Sequence, residues 1–333
     1  MTPAGELLAA EIERDGPVSF RRFMELALYH PVHGYYCRPR DPFGKHGDFF
    51  TAEQLQPVFG HLMAAFARLL FRAGGQPADF TVVELGAGRG AMAPAFAPWR
   101  YLPIDIGTGN MPKHWNGVLF SNEFFDALPV DVVLFSGTEF REQRVGFSDG
   151  RFAWQAGPAA GAAVADYLAR YGPHPQAGHW YEVGLAGLEW IDRIAAALGS
   201  GCVITVDYGY TRAEAVRFPV GTLMGYRTHV AREDVLTDPG DRDITAHVNF
   251  TALAEHGTQV GLQLVKFQTL ARTLLDAGEE DRFASLLQVD DRAEASRRRM
   301  QLKTLLAGMG ETFRVLVQRK NERAETGGGS LKQ

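Results

Sequence analysis

The chain has 333 residues, 46% of them hydrophobic and 22% charged, with a net charge of −5 and a pI near 6.1. These proportions belong to a globular protein with a real core and exclude a disordered or fibrous chain. The acidic balance argues against nucleic acid as a partner, and no apolar run approaches the ~18 residues of a membrane-spanning helix.

From the N-terminus, residues 4–14 and 19–29 read as two short helices, the second capped by Ser19 and stopped before Pro31. A long loop rich in glycine, proline and aromatics follows, from His30-Pro-Val-His-Gly-Tyr-Tyr36 to Gly44-Lys-His-Gly-Asp-Phe-Phe-Thr51. Loops of this length inside compact proteins are commonly functional, and the aromatics argue against disorder. Leu55, Phe59, Leu62, Met63, Phe66 and Leu70 recur at helical spacing and predict a core-facing helix over 52–71.

Next comes Thr81-Val-Val-Glu-Leu-Gly-Ala-Gly-Arg-Gly90, a β-branched strand with an acid at its end and then a glycine turn. Gly86, Gly88 and Gly90 accept positive φ and let backbone approach a ligand closely, as in a nucleotide site at the carboxyl edge of a parallel sheet. Gly86, Gly88 and Ala91 satisfy the dinucleotide pattern formally. Glu84 tips the balance, because a carboxylate close to a pyrophosphate is unfavourable. It suits S-adenosylmethionine, with its sulfonium, ammonium and ribose, better than NAD. Asp105 ends a second strand-like stretch, Tyr101–Ile106, where an acid would meet ribose hydroxyls.

Pro94 and Pro98 compromise a helix over 91–99, and Gly117–Ser121 is a further strand. Residues 130–154 predict a β meander (Val130–Phe135, Glu139–Phe147, Arg151–Trp154), followed by a helix over 160–171 and the stretch Trp180–Val183. A helix over 185–198 ends at Gly199 and Gly201 before a buried strand, Cys202–Gly209. A helix and strand (250–256 and 259–267), further helices over 268–307 and a last strand, Thr312–Gln318, precede a charged, glycine-rich tail expected to be disordered. Strands alternating with helices point to an α/β fold with a parallel-type sheet and inserted pieces. Cys37 and Cys202 make neither a disulfide framework nor a zinc cluster. With an N-terminus unlike a targeting peptide, they lead to an expected cytoplasmic location.

Several phrases are more specific than the glycine loop. They are His30–Tyr36, Gly47-Asp-Phe-Phe-Thr51, Glu84–Gly90, Ser121-Asn-Glu-Phe-Phe-Asp-Ala-Leu-Pro129, Asp207-Tyr-Gly209, Gly221-Thr-Leu223, Asp243-Ile-Thr-Ala-His-Val-Asn-Phe250 and Met309-Gly-Glu-Thr-Phe313. In this order they resemble the MidA family of class I S-adenosylmethionine-dependent methyltransferases, relatives of the mitochondrial arginine methyltransferase that assists complex I assembly. The resemblance spans residues 18–318. It implies a Rossmann-like class I methyltransferase sheet with helical and β insertions, whose core is 76–318. Residues 1–75 would cover the cofactor site, and 319–333 would form the tail. It also implies that Glu84, Gly86, Gly88, Gly90 and Asn122 bind S-adenosylmethionine, with Gly47, Asp48 and Thr51 closing over it.

Glu123 and Asp126 follow a strand end, where chemistry sits in such sheets. An arginine guanidinium, with a pKa above ~12, becomes nucleophilic at one nitrogen when a carboxylate binds the others and localises the charge. Glu123 is the expected clamp for a protein arginine. Asp126 is either its partner or a turn cap, and His247 is a second-rank general base. Asp207 either faces the site or caps the next loop. A small-molecule methyltransferase and a non-catalytic assembly protein keeping the fold are the competing readings.

Two departures from the family stand out. Thr51 is followed by Ala-Glu-Gln54, where the family tends to have a proline before the glutamate. In addition, only 30 residues separate Gly90 from Ser121. Each crossover between parallel strands needs a dozen or more residues, so the sheet is expected to be trimmed at one edge.

Overall fold

The computed structural model describes residues 1–38, 52, 55–75, 78–228 and 230–321. Phe80–Leu85 is buried at every position, as a strand covered on both faces must be. It lies in a sheet of order Arg100–Ile104, Phe80–Leu85, Trp115–Asn122, Leu198–Tyr210, Phe313–Lys320, Gln263–Thr269, with Val248–Asn249 also on Leu198–Tyr210. The first four strands are parallel, and Phe313–Lys320 runs antiparallel between its two neighbours. Among the described residues no strand lies outside Arg100–Ile104. The chain returns from it to Trp115 through residues 105–114 without a helix, which is the trimmed edge the spacing demanded.

Helices Val58–Ala73 and Leu270–Glu279 cover one face, packing Phe59, Leu62, Phe66 and Leu274 against Val118, Phe120 and Ile204. Leu185–Ala197 and Phe250–Gln259 cover the other, with Ile191, Ile194 and Leu253 on Val83, Leu119 and Val203. The meander is present as Asp131–Phe135, Phe140–Ser148 and Arg151–Ala159. It forms a second sheet with Trp180–Val183 and the short Val18–Ser19.

Helices Pro3–Asp15 and Phe20–Tyr29 are capped by Thr2 and Ser19 side chains. They bury Leu8, Ile12, Phe20 and Phe23 in one core with Val132 and Val145 of the meander and Ile244 of a three-stranded sheet, Val230–Arg232, Met224–Arg227 and Asp243–Thr245. The N-terminal segment and the insertions therefore share a core.

Three local expectations are corrected. Gly199 and Gly201 do not form a loop after the helix, because Leu198–Tyr210 starts directly at its end. Ser200 and Gly201 pair there with Asn116 and Gly117. A Cβ on Gly117 would run into the Thr81 carbonyl, so these glycines serve close strand approach rather than helix termination. The helix over 91–99 is a single turn, Ala93–Phe96, as its prolines require. The predicted helix over 52–71 begins at Val58. Tail residues 322–333 lie outside the described residues.

Candidate active site

The carboxyl ends of the four parallel strands open onto a cavity of about 1830 Å³. The glycine turn forms one part of its wall. Gly86 and Gly88, at φ 67° and 49°, line it, and a Cβ on Gly86 would stand 3.1 Å from the Phe124 ring. Gly90 does not line the cavity; its N–H closes the turn on the Ala87 carbonyl at 2.7 Å. Asp105 sits across from the turn at the end of the edge strand. It accepts from the Gly88 N–H and, at 2.6 Å, from that of Ile106. Glu84 is fully buried beneath the turn, accepts the Tyr101 hydroxyl and stays outside the cavity wall. The expected ligands Gly47, Asp48 and Thr51 lie outside the described residues.

A second part of the wall is acidic. The Glu123 N–H donates to the Val206 carbonyl at 3.0 Å, one residue beyond the strand, and φ there is 50°. That left-handed residue turns the chain sharply into Phe124–Leu128. Its carboxyl accepts from the Ala52 N–H at 3.2 Å and from Asn122 Nδ2 at 3.0 Å. Burial, with the Asp126 charge second, pushes the Glu123 carboxyl up to about 8. Burial likewise raises Asp126 to about 6, against the pull of the Tyr208 hydroxyl.

Asp207, fully buried on the neighbouring strand, accepts from the N–H groups of Phe125 at 3.0 Å, Asp126 at 3.4 Å and Tyr208 at 2.9 Å. Burial and the two acidic neighbours raise its pKa well above the usual range. Asp207 therefore caps not the loop that follows it, as expected, but the turn on the neighbouring strand that carries Glu123 and Asp126.

His247 also lines the cavity, its ring edge-on to Tyr208 and to Phe218, each at 5.2 Å. Burial, then the Arg217 charge, lowers its pKa to about 4, so it is neutral at pH 7. Asn122 Oδ1, Asp126 Oδ1 and His247 Nδ1 are buried and have no hydrogen-bond partner among the described residues.

The sequence did not single out Tyr29, Tyr36 or Asp243, which complete this wall. The Tyr36 hydroxyl donates to Asp243 at 2.6 Å, and the Tyr29 hydroxyl to the Ala127 carbonyl at 2.7 Å. Tyr36 and Asp243 each lie inside a phrase already noted, but nothing in linear spacing joins residues 207 positions apart.

The fold has close counterparts in known structures. A protein from Burkholderia thailandensis crystallised with S-adenosylhomocysteine superposes with a TM-score of 0.85 at 29% identity, covering 95% of this chain and 92% of that one. A protein of the same superfamily from that organism gives 0.82 at 30% identity, over 95% and 91%. The chain belongs to the MidA-type family of S-adenosylmethionine-dependent methyltransferases. A profile of S-adenosyl-L-methionine-dependent methyltransferases matches residues 108–268 of this MidA-type chain. It is also 26% identical to the mitochondrial protein arginine methyltransferase NDUFAF7 of Bos taurus, over 95% of this chain and 83% of that protein. The Drosophila melanogaster homologue is 40% identical over a shorter stretch, 26% of this chain and 20% of its own length. Among the described residues of the MidA-type chain, no helix is long and apolar enough to cross a membrane.

Proposed function

We propose that this methyltransferase modifies an arginine side chain of a protein partner. The observation that carries the reading is the acceptor-rich wall: Glu123, Asp126 and Asp243 line one cavity, with buried, unpartnered acceptor atoms on Asn122 and Asp126. A guanidinium offers five N–H donors and a fixed positive charge, and such a wall accepts both. A small acceptor with few donors would leave several buried acceptor atoms unpaired, which disfavours the small-molecule reading. The arginine methyltransferases among the relatives support the same substrate class. Retention of a complete acidic wall weighs against a non-catalytic assembly protein.

The other part of the wall fits the methyl donor. Gly86 and Gly88 present backbone without a Cβ, Asp105 offers a carboxylate for ribose hydroxyls, and Asn122 keeps a free oxygen. Glu84 acts from beneath by holding the turn through Tyr101, and Gly90 by closing it. Gly47, Asp48 and Thr51 remain candidates for the covering loop of the N-terminal segment, residues 1–75. Bound there, S-adenosylmethionine supplies an electrophilic methyl group.

Glu123 and Asp126 bind the guanidinium, localise its charge away from one nitrogen and align that nitrogen with the donor. The Asp207-anchored turn keeps both carboxylates in place. Neutral His247, the second-rank base, lines the same cavity and takes the proton released as the nitrogen is alkylated. The free Cys37 and Cys202 support a reducing, cytoplasmic setting, although the vertebrate relatives are named as mitochondrial.

The test uses labelled S-adenosylmethionine and extracts of cells lacking this protein, with mass spectrometry of the labelled products. Methylarginine that disappears with Glu123→Gln supports the reading. Label confined to small molecules, or to other side chains, overturns it.

A further inference from the structure

Residues 215–221 form part of the cavity mouth. Arg217 and Phe218 line the cavity, while Val216 and Val220 between and beside them are 60% and 76% exposed. This exposure does not come from a slack loop. The Glu214 carboxyl accepts from the Thr211 N–H at 2.8 Å, and the Arg212 N–H donates to Thr251 at 2.9 Å. Between the valines the Pro219 carbonyl accepts from the Trp180 N–H at 3.0 Å, and past them the Thr222 N–H donates to buried Glu182 at 2.7 Å. The segment is bolted at both ends, so its two valines are held out in water beside a binding cavity. Apolar groups held rigidly beside a cavity are available to a molecule that enters it.

Charge narrows the occupant. The Arg217 guanidinium lies 5.7 Å from the centre of the Phe218 ring, and among the described residues it has no carboxylate in ion-pair distance. Neighbouring Arg212 and Arg314 are by contrast paired, with Glu255 and Glu214. The cavity floor is thus acidic while its mouth offers an uncommitted cation. A segment rich in basic residues is attracted to the floor and repelled at the mouth. An arginine flanked by an acid is attracted at both.

We propose that residues 215–221 dock the polypeptide bearing the target arginine, Arg217 selecting an acidic neighbour and Val216 and Val220 an aliphatic one. The inference rests on the arginine reading above and adds the sequence context of the substrate.

The test is fluorescence anisotropy with synthetic peptides of about a dozen residues, each with one central arginine, in the presence of S-adenosylhomocysteine. One carries aspartate and valine flanks, a second lysine and serine flanks. Replacing an attractive exposed pair by a repulsive one predicts about tenfold tighter binding of the first at low salt. Arg217→Glu should abolish or invert that preference. Val220→Asp should weaken the first peptide while leaving S-adenosylhomocysteine affinity and melting temperature unchanged. Equal affinity for both peptides, a preference that survives Arg217→Glu, or no binding of either overturns the proposal. A third peptide, with citrulline in place of arginine, separates the two readings. Undiminished binding of that peptide strikes the arginine pocket, and its loss with the flank preference intact supports both.

Discussion

At the scale of single residues, Glu123 is the proposed guanidinium clamp. A carboxyl with its pKa raised to about 8 is protonated at neutral pH, so a guanidinium must displace a proton to bind it. Affinity for an arginine peptide should therefore climb with pH from about 6 to about 8 and then level. Anisotropy titrations across that range check this, and a flat profile would contradict a Glu123–guanidinium contact. Glu123→Gln should lower arginine methylation by about a hundredfold or more. Calorimetry should show S-adenosylhomocysteine binding retained.

The same shift has a stability signature of definite sign. Folding raises the pKa of this acid above its ordinary 4.5, so the fold favours the protonated form. The stabilisation is complete below the unfolded pKa and lost as pH rises through about 8. Thermal melts should show Glu123→Gln gaining on the native protein between about pH 5 and pH 8, with no further gain above. The sequence pointed to Glu123 and Asp126 because they follow a strand end. It could not show their burial, since burial depends on which distant segments pack against the turn.

At the scale of elements, the turn after Trp115–Asn122 is held by its neighbour strand. Asp207 collects the N–H groups that this turn would otherwise leave unpaired. Each buried orphan costs about 1–3 kcal/mol, so Asp207→Ala should destabilise the protein by roughly 2–5 kcal/mol in urea unfolding. Asp207→Asn keeps an acceptor oxygen and should lose less stability while still slowing methylation. Equal stability of both variants with the native protein would contradict the pinning role. Helix and strand types were legible from periodicity and turn residues, because apolar spacing tracks burial directly. The junction at Leu198 was not, because Gly199 and Gly201 look like helix stops in one dimension. Their use in close strand packing appears only when Gly117 lies beside them.

At the scale of the molecule, the trimmed sheet, the shared N-terminal core and the cavity belong together. Among the described residues the sheet leaves Arg100–Ile104 as an edge, and Asp105 at its end binds the glycine turn directly. Ligand held in that cavity should stabilise the fold by mass action: about 2.7 kcal/mol at a hundred times Kd for S-adenosylhomocysteine, and nothing for NAD. A melt series with both ligands measures the difference, and an equal response to NAD would count against the cofactor assignment.

The sequence by itself determined the α/β class, the glycine turn after Phe80–Leu85, the place of Glu123 and Asp126 just past a strand end, and the loss of one edge strand. Each is a local matter of propensity, glycine placement, or the number of residues a crossover needs. Tertiary structure alone decided that Glu84 lies under the turn rather than in the cavity, and that Asp207 is the pin. It also decided that Tyr29, Tyr36 and Asp243 close the acceptor wall. Those outcomes depend on which distant segments pack together, and packing pairs residues by surface complementarity, which one-dimensional spacing does not encode.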